Sequence, residues 1–117
     1  MSISKEILSG STDGLGIKIT ETTYPGNTIH TAHETSKDEI WIWAYNDNAE
    51  DVELTIDFGG DGDEYDDPDC LIVQTITAQS GLYLCVPGLP LTNEKVIRAF
   101  AGSANVIVLY GYANRIS

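Results

Sequence analysis

The chain has 117 residues, of which 42% are hydrophobic and 21% charged, and its formal net charge is −12 at pH 7. This length fits one ordinary domain, and the hydrophobic fraction excludes wholesale disorder. No apolar run approaches the ~18 residues of a membrane helix, and six lysines and arginines are too few to cover a phosphate backbone. Nucleic acid and membranes are therefore not expected partners.

The pattern along the chain is that of β-structure. Short β-rich runs alternate with turn signals, and no convincing helical apolar period is present. We expect an all-β fold, a single antiparallel β-sandwich of about eight strands over residues 10–117, either a jelly roll or immunoglobulin-like. Residues 1–9 are expected to form an N-terminal arm, with a short extra strand at 6–9 as an alternative. The expected strands lie at 16–21, 27–33, 39–46, 51–58, 70–77, 82–87, 95–101 and 105–113.

Three connections carry residues that tight turns favour and are expected to close hairpins: 47–49, 79–81 and 102–103. Pro87 and Pro90 are expected to break the chain before its last hairpin. The N-terminal MSISKEILSG does not resemble a secretory signal, which predicts synthesis in a cytoplasm. Cys70 and Cys85 each fall in an expected strand and are expected to be buried free thiols.

Two expected strands are apolar on both faces, unlike strand 51–58, whose second face (Glu53, Thr55, Asp57) predicts half exposure. A two-layer sandwich leaves one such face without a partner of its own. It could be the core, lie under the N-terminal segment, bind another protein, or stack on sugars. The aromatic candidates are Trp41, Trp43 and Tyr45, which alternate with Ile40, Ile42 and Ala44, and Tyr110 and Tyr112, which alternate with Ile107 and Leu109.

The run DFGGDGDEYDDPD at 57–69 suggests a calcium site, but it fails the EF-hand pattern. Counted from Asp61, the loop would place tyrosine at ligand position 5 and isoleucine at position 12. A surface hairpin or crossover loop is the simpler interpretation, and Asp61, Asp63 and Asp66, with Asp67 and Asp69, are only weak candidates for opportunistic calcium binding. No metal or other cofactor is expected.

His30 and His33 invite comparison with metal-binding cupins, whose HxH motif puts two imidazoles on one strand face. Here the spacing is three, so the two rings point to opposite faces of an extended strand unless it bulges. The sequence also has no nucleophile elbow and no phosphate-binding glycine loop. An enzyme is therefore not expected.

Several segments resemble small structural proteins of tailed bacteriophages, especially capsid decoration or cement proteins: ILSGSTDGLGIKIT, TIHTA, DEIWIWAYN and ITAQSGLYLCVPGLPLTNEKVIRAFAGSANVIVLYGYANRI. The resemblance covers about Ile7 to Ile116 and includes no catalytic signature. It implies a protein of the virion head surface, assembled in the host cytoplasm, that binds the major capsid protein or itself, most often as a trimer. A tail or baseplate component and a carbohydrate-binding module remain alternatives.

Overall fold

The computed structural model describes residues 2–60 and 70–117, and all regular structure in these ranges is β. Two antiparallel sheets form, one of five strands and one of four, as expected for a single β-sandwich. The strands are β1 Ile3–Ile7, β2 Ile17–Lys18, β3 Asn27–Thr31, β4 Lys37–Asn46, β5 Val52–Phe58, β6 Leu71–Ile76, β7 Tyr83–Leu91, β8 Val96–Ala101 and β9 Ile107–Ile116.

The strand pairs are nested, which decides between the two topologies left open by the sequence. In the five-stranded sheet β1 and β2 both pair with β9, followed by β4 and β7; the other sheet runs β3-β8-β5-β6. The innermost pair is β5 with β6, then β4 with β7, β3 with β8, and β1 and β2 with β9. A long hairpin rolled into two sheets produces this order, so the fold is a jelly roll.

The core lies between the sheets and is built from the smaller apolar side chains. Ile40, Ile42 and Ala44 of β4 face inward with no exposed surface, and Leu54 and Ile56 of β5 meet them from the other sheet. Branched aliphatic residues suit this position because they pack well on a pleated surface. The large aromatic residues of β4 and β9 therefore lie on the opposite, outer face.

The three short turns expected to close hairpins instead carry the chain between sheets. Residues 47–49 lead from β4 to β5, 79–81 from β6 to β7, and 102–103 from β8 to β9, and each of these pairs is split between the two sheets. Turn composition signals a reversal of direction but not which strand becomes the hydrogen-bonded neighbour. The acidic run does join two paired strands, β5 and β6.

Strand β7 continues through the prolines that were expected to end it. Pro87 and Pro90 lie opposite Trp41 and Glu39 of β4. Register shifts on both sides of Pro87 mark irregular pairing there. β7 is an edge strand, where a residue without an N–H group is tolerated. Gly88 has a φ of 76°, a conformation that costs glycine little and most other residues much.

The N-terminal segment is also more regular than expected. Ile3–Ile7 pairs along its whole length with β9, and the side chain of Leu8 is buried in the core. The short strand foreseen at 6–9 therefore lies earlier, at 3–7, and the segment belongs to the sheet of its own chain instead of forming an arm.

Candidate functional site

Strand register brings the five candidate aromatic residues together on the outer side of the five-stranded sheet. Trp41 lies opposite Tyr112 and Trp43 opposite Tyr110, and Tyr45 continues the row along β4. Cross-strand partners in an antiparallel sheet project to the same side, so these residues form one surface. We call the surface made by Trp41, Trp43, Tyr45, Tyr110 and Tyr112 the outer aromatic face.

Three rings of this face are nearly parallel. The centroids of Trp41 and Trp43 are 6.1 Å apart with 18° between the planes, and Tyr112 lies 6.5 Å from Trp41 and 6.1 Å from Trp43. Offset parallel packing is a favourable arrangement for aromatic side chains. The rings therefore support one another, although no second layer of the described chain covers them completely.

The interpretation that these aromatics form the core is wrong. Trp41, Trp43, Tyr45 and Tyr112 are only half-buried, and Tyr110 is 40% exposed. The N-terminal segment reaches one corner, where the Lys5 ammonium lies 4.5 Å from the centroid of the Tyr112 ring. That contact leaves most of the face accessible.

Exposed aliphatic residues extend the outer aromatic face at its margins. Ile3 and Ile7 of β1 project to the same side as Tyr112 and are 62% and 53% exposed, and Leu84 of β7, opposite Trp43, is 41% exposed. Leu15, 66% exposed, follows Gly14, whose place for a Cβ atom lies beside Ile7. Apolar side chains on this side of the sheet therefore extend over the four strands β1, β9, β4 and β7.

Polar contacts fix the position of the Trp41 ring. The Trp41 Nε1–H donates to Glu39 Oε1 at 2.9 Å, and Asn114 Nδ2 donates to the same oxygen at 3.1 Å. The hydrogen bond from Trp41, followed by that from Asn114, lowers the pKa of Glu39. A Cβ atom on Gly88 would lie 2.8 Å from Trp41 Cζ2, so this glycine makes room for the indole. Trp41 is thus a preformed part of the surface.

The outer side of the four-stranded sheet is different, because the chain covers the part around Asp57 with its own residues. Thr55 and Asp57 are 2% and 1% exposed, so the expectation of exposure is wrong for these two residues and right for Glu53. The Tyr24 hydroxyl donates to Asp57 Oδ2 at 2.8 Å, and its ring packs edge-to-face on Phe100 with centroids 6.3 Å apart. Gly60 N–H also donates to Asp57, and Arg98 lies 3.9 Å away.

A buried polar cluster joins the two sheets. His30 and Asp38 are 1% and 0% exposed, and Ser9 N–H donates to His30 Nδ1 at 2.9 Å. Because Nδ1 accepts this bond, Nε2 carries the proton and donates to Asp38 Oδ2 at 2.8 Å. Arg115 binds both Asp38 oxygens, at 2.8 and 3.0 Å. Burial raises the pKa of Asp38, but the hydrogen bonds from Arg115 and His30 outweigh it and hold the pKa below its ordinary value.

The cluster is structural in its geometry. The hydrogen-bond partners of His30 are the backbone of Ser9 and the fully buried side chain of Asp38. His33 makes different contacts, because its Nδ1 accepts from the backbone N–H groups of Thr35 and Ser36 at 3.1 and 3.0 Å. The two histidines are therefore not brought together, and a bulge in β3 falls between Thr28 and His30 instead.

The remaining candidates from the sequence are the metal ligands and the two cysteines. Within residues 2–60 and 70–117 no group of three His, Cys, Asp or Glu side chains could hold a metal ion. Asp61, Asp63 and Asp66, with Asp67 and Asp69, lie outside the described residues. Cys70 and Cys85 are both half-buried and are not joined to each other by a disulfide, and burial raises the pKa of the Cys85 thiol to about 11.

Sequence reasoning missed the two buried carboxylates and the lysines that border the aromatic face. Asp38 carried one available signal, since it shares the alternation of Ile40 and Ile42 and so falls on the inner face. Asp57 carried none, because the segment that covers it is far away in sequence.

Comparisons with protein-family models, with curated proteins and with solved structures found no match. In the described part of the chain no helix is long and apolar enough to cross a membrane. Function therefore has to be inferred from the residues themselves.

Proposed function

We propose that this protein is a non-enzymatic structural component of a virion, a capsid decoration protein that docks on the outside of a tailed-bacteriophage head and stabilises it against the packaged DNA. The observation that carries the proposal is the outer aromatic face. Monomeric proteins rarely leave a large apolar patch open to water, so such a patch marks a place where another surface binds.

The size and composition of the face support a protein partner. Ten residues of β4, at about 3.3 Å per residue, give a length of about 33 Å, and four strands with their side chains give a width of about 20 Å. This footprint, about 650 Å², approaches the roughly 800 Å² per partner of a standard interface. Tryptophan and tyrosine are also the residues that most often dominate binding energy at such interfaces.

The fold is compatible with this role but does not select it. Jelly rolls occur in viral capsid proteins, in lectins and in metal enzymes, so function has to be argued from the surface. The resemblance of the sequence to head-associated phage proteins is the reason for naming a capsid, and the major capsid protein or a sister chain is the partner it implies. A tail or baseplate position would use the same face.

The proposal can be tested with particles from cells that carry the gene. Particles made after deletion of the gene should lack the protein, lose DNA at a lower temperature, and bind purified protein when it is added back. Trp43→Ser should abolish rebinding while the variant remains folded by circular dichroism. Val73→Ser is the matched control, because Val73 is 54% exposed on the outer side of the other sheet. Particles that never contain the protein would overturn the proposal.

A carbohydrate-binding function is the second candidate, and one observation favours it. The near-parallel rings of Trp41, Trp43 and Tyr112 form an aromatic row of the kind on which sugar rings stack. Both tryptophans of the chain lie on this row, so a bound saccharide should change the tryptophan emission in a saturable way. Saturable changes with a neutral oligosaccharide, together with no rebinding to particles, would favour this candidate over docking on protein.

A further inference from the structure

The outer aromatic face differs in charge from the rest of the molecule. The chain has 18 acidic residues and six lysines and arginines. Three of those six, Lys5, Lys18 and Lys37, occupy strand positions that project to the side of the aromatic face, as their partners Asn114, Val108 and Ile116 show. Half of the cationic residues therefore lie on one surface of a strongly acidic protein.

Acidic residues are nearly missing from the same surface. Among the described strand residues that project there, Glu39 is the one carboxylate, and its Oε1 is engaged by Trp41 and Asn114. In the turn after β4, Asp47 Oδ1 also reaches this side and accepts from the Tyr45 hydroxyl at 3.3 Å. Since net charge per surface decides what can approach, this side of the protein is locally positive although the whole molecule carries −12.

The lysines of this face form no ion pair within the described chain, although Lys5 contacts the Tyr112 ring, whereas the described arginines are engaged. Arg115 is bound to Asp38 within the fold, and Arg98 lies 3.9 Å from Asp57 and donates to the Gly60 carbonyl oxygen at 3.0 Å. No lysine in residues 2–60 and 70–117 lies within ion-pair distance of a carboxylate. Lys5, Lys18 and Lys37 are all exposed.

We infer that the surface bound by the outer aromatic face is an acidic protein surface with an apolar centre. This inference rests on the proposed function and names the chemistry of its partner. The aromatic residues supply the centre of the contact, and the lysines stand around it, in the arrangement of an apolar core with a polar rim that protein interfaces show. Carboxylates of the partner meet the three ammonium groups.

The negative remainder of the molecule makes this docking orientation-specific. An acidic partner is repelled by the other sides of a chain that carries −12. It is therefore expected to bind this protein at the side that bears the lysines. At about 0.1 M salt the Debye length is about 10 Å, which limits the attraction to charges close to the contact. A face-to-face pair of this chain would bring lysines against lysines, which disfavours a second copy in that arrangement.

The test uses the gene-deleted particles and the purified full-length protein. We expect Lys18→Glu and Lys37→Glu each to weaken rebinding by about 3- to 10-fold and the double variant by about 10- to 100-fold, because rim attraction is replaced by repulsion. Lys95→Glu is the matched control, since it makes the same charge change in the connection between β7 and β8, and it should alter binding by less than about 2-fold. Wild-type binding should also weaken as salt is raised.

Each other outcome overturns the inference in a distinguishable way. Wild-type rebinding that is unaffected by the face lysines or by salt leaves the proposed function intact and shows that the partner surface is not acidic. A dimer in light scattering that Tyr110→Ser abolishes would show a second copy as the occupant. Competition by alginate, with a saturable change in tryptophan emission, would show an anionic polysaccharide. Failure of the wild type to rebind at all overturns both proposals.

Discussion

The outer sides of the two sheets differ in how far the chain itself covers them. On the four-stranded sheet Asp57 is sealed by Tyr24 and by Arg98. On the five-stranded sheet the rings of Trp41 and Trp43 stay half-buried beside exposed aliphatic residues. The part of one sheet around Asp57 is thus covered, whereas the aromatic side of the other is open, and substitutions on each side separately should show what this difference does.

The largest loss of stability is expected for a substitution in the buried polar cluster that joins the two sheets. Asp38→Ala removes the partner of Arg115 and of His30, and leaving charged and polar groups unpaired in the interior should lower the free energy of unfolding by about 3 to 5 kcal/mol. Urea unfolding followed by tryptophan emission measures this. A loss below about 1 kcal/mol would show that the cluster contributes little to stability.

Acid should lower the stability of the fold by protonating the same carboxylate, that of Asp38. The pKa of Asp38 is lower in the folded protein than its ordinary value of 3.8, so the unfolded chain binds the proton more readily. The stability from this group is therefore fully present above about pH 5 and is lost as the pH falls below 3.8 towards the folded pKa. In urea unfolding at a series of pH values, Asp38→Asn should show a shallower loss of stability in this range than the wild type. Equal slopes would contradict the assignment.

The next effect should be confined to the sealed side. Asp57→Ala removes the acceptor of the Tyr24 hydroxyl and of Gly60 N–H, and should cost about 2 to 3 kcal/mol because donors and the Arg98 charge lose their partner. Particle binding should stay at the wild-type level under conditions where the variant is folded. Weakened binding by a folded Asp57→Ala would mean that the sealed side also meets the partner.

A smaller change on the sealed side isolates one bond. Tyr24→Phe keeps the ring that packs on Phe100 and removes only the hydroxyl that donates to Asp57, so a loss of about 1.5 kcal/mol is expected. Thermal unfolding compared with the wild type provides the measurement. No change in stability would show that the hydroxyl is readily replaced by water.

The smallest effect on stability is expected on the open side, where the effect on binding is largest. Leu84→Ser and Tyr110→Ser remove exposed side chains and should each cost about 1 kcal/mol or less. Rebinding to gene-deleted particles should nevertheless fall by about tenfold or more for Tyr110→Ser, since the centre of an interface dominates its energy, and by less for Leu84→Ser at its margin. Val73→Ser, on the other sheet, should change neither quantity by much. Normal binding by both face variants would move the interface elsewhere.

The alternation of apolar residues was enough to predict an all-β sandwich and to single out the aromatic residues of β4 and β9. It could not decide which face of β4 was the core, because Ile40 and Trp41 are both apolar and their order in space depends on the second sheet. Register then united Trp43 with Tyr110, a pairing between residues far apart in the sequence. The turns misled for the same reason, since 102–103 reverses the chain without pairing β8 to β9.

The polar features were hidden for a related reason. The burial of Asp57 depends on Tyr24, which is 33 residues away in the sequence, and Arg115 reaches Asp38 across 77 residues. The position of Lys5 and Lys18 beside the aromatic residues follows only from the pairing of β1 and β2 with β9. The residue composition of one segment does not show which distant residues it contacts, whereas the register of the paired strands does.

The central claim is that the outer aromatic face is covered when the protein is at work. Because Trp41 and Trp43 are the two tryptophans of the chain, protein labelled with 5-hydroxytryptophan reports on this face alone and can be excited apart from the tryptophans of the particle. We would measure acrylamide quenching of the labelled protein, free and bound to gene-deleted particles. Acrylamide quenching should fall on binding by about threefold or more, because the two tryptophans become buried at the centre of the interface. Equal quenching in the bound and free protein would contradict the central claim.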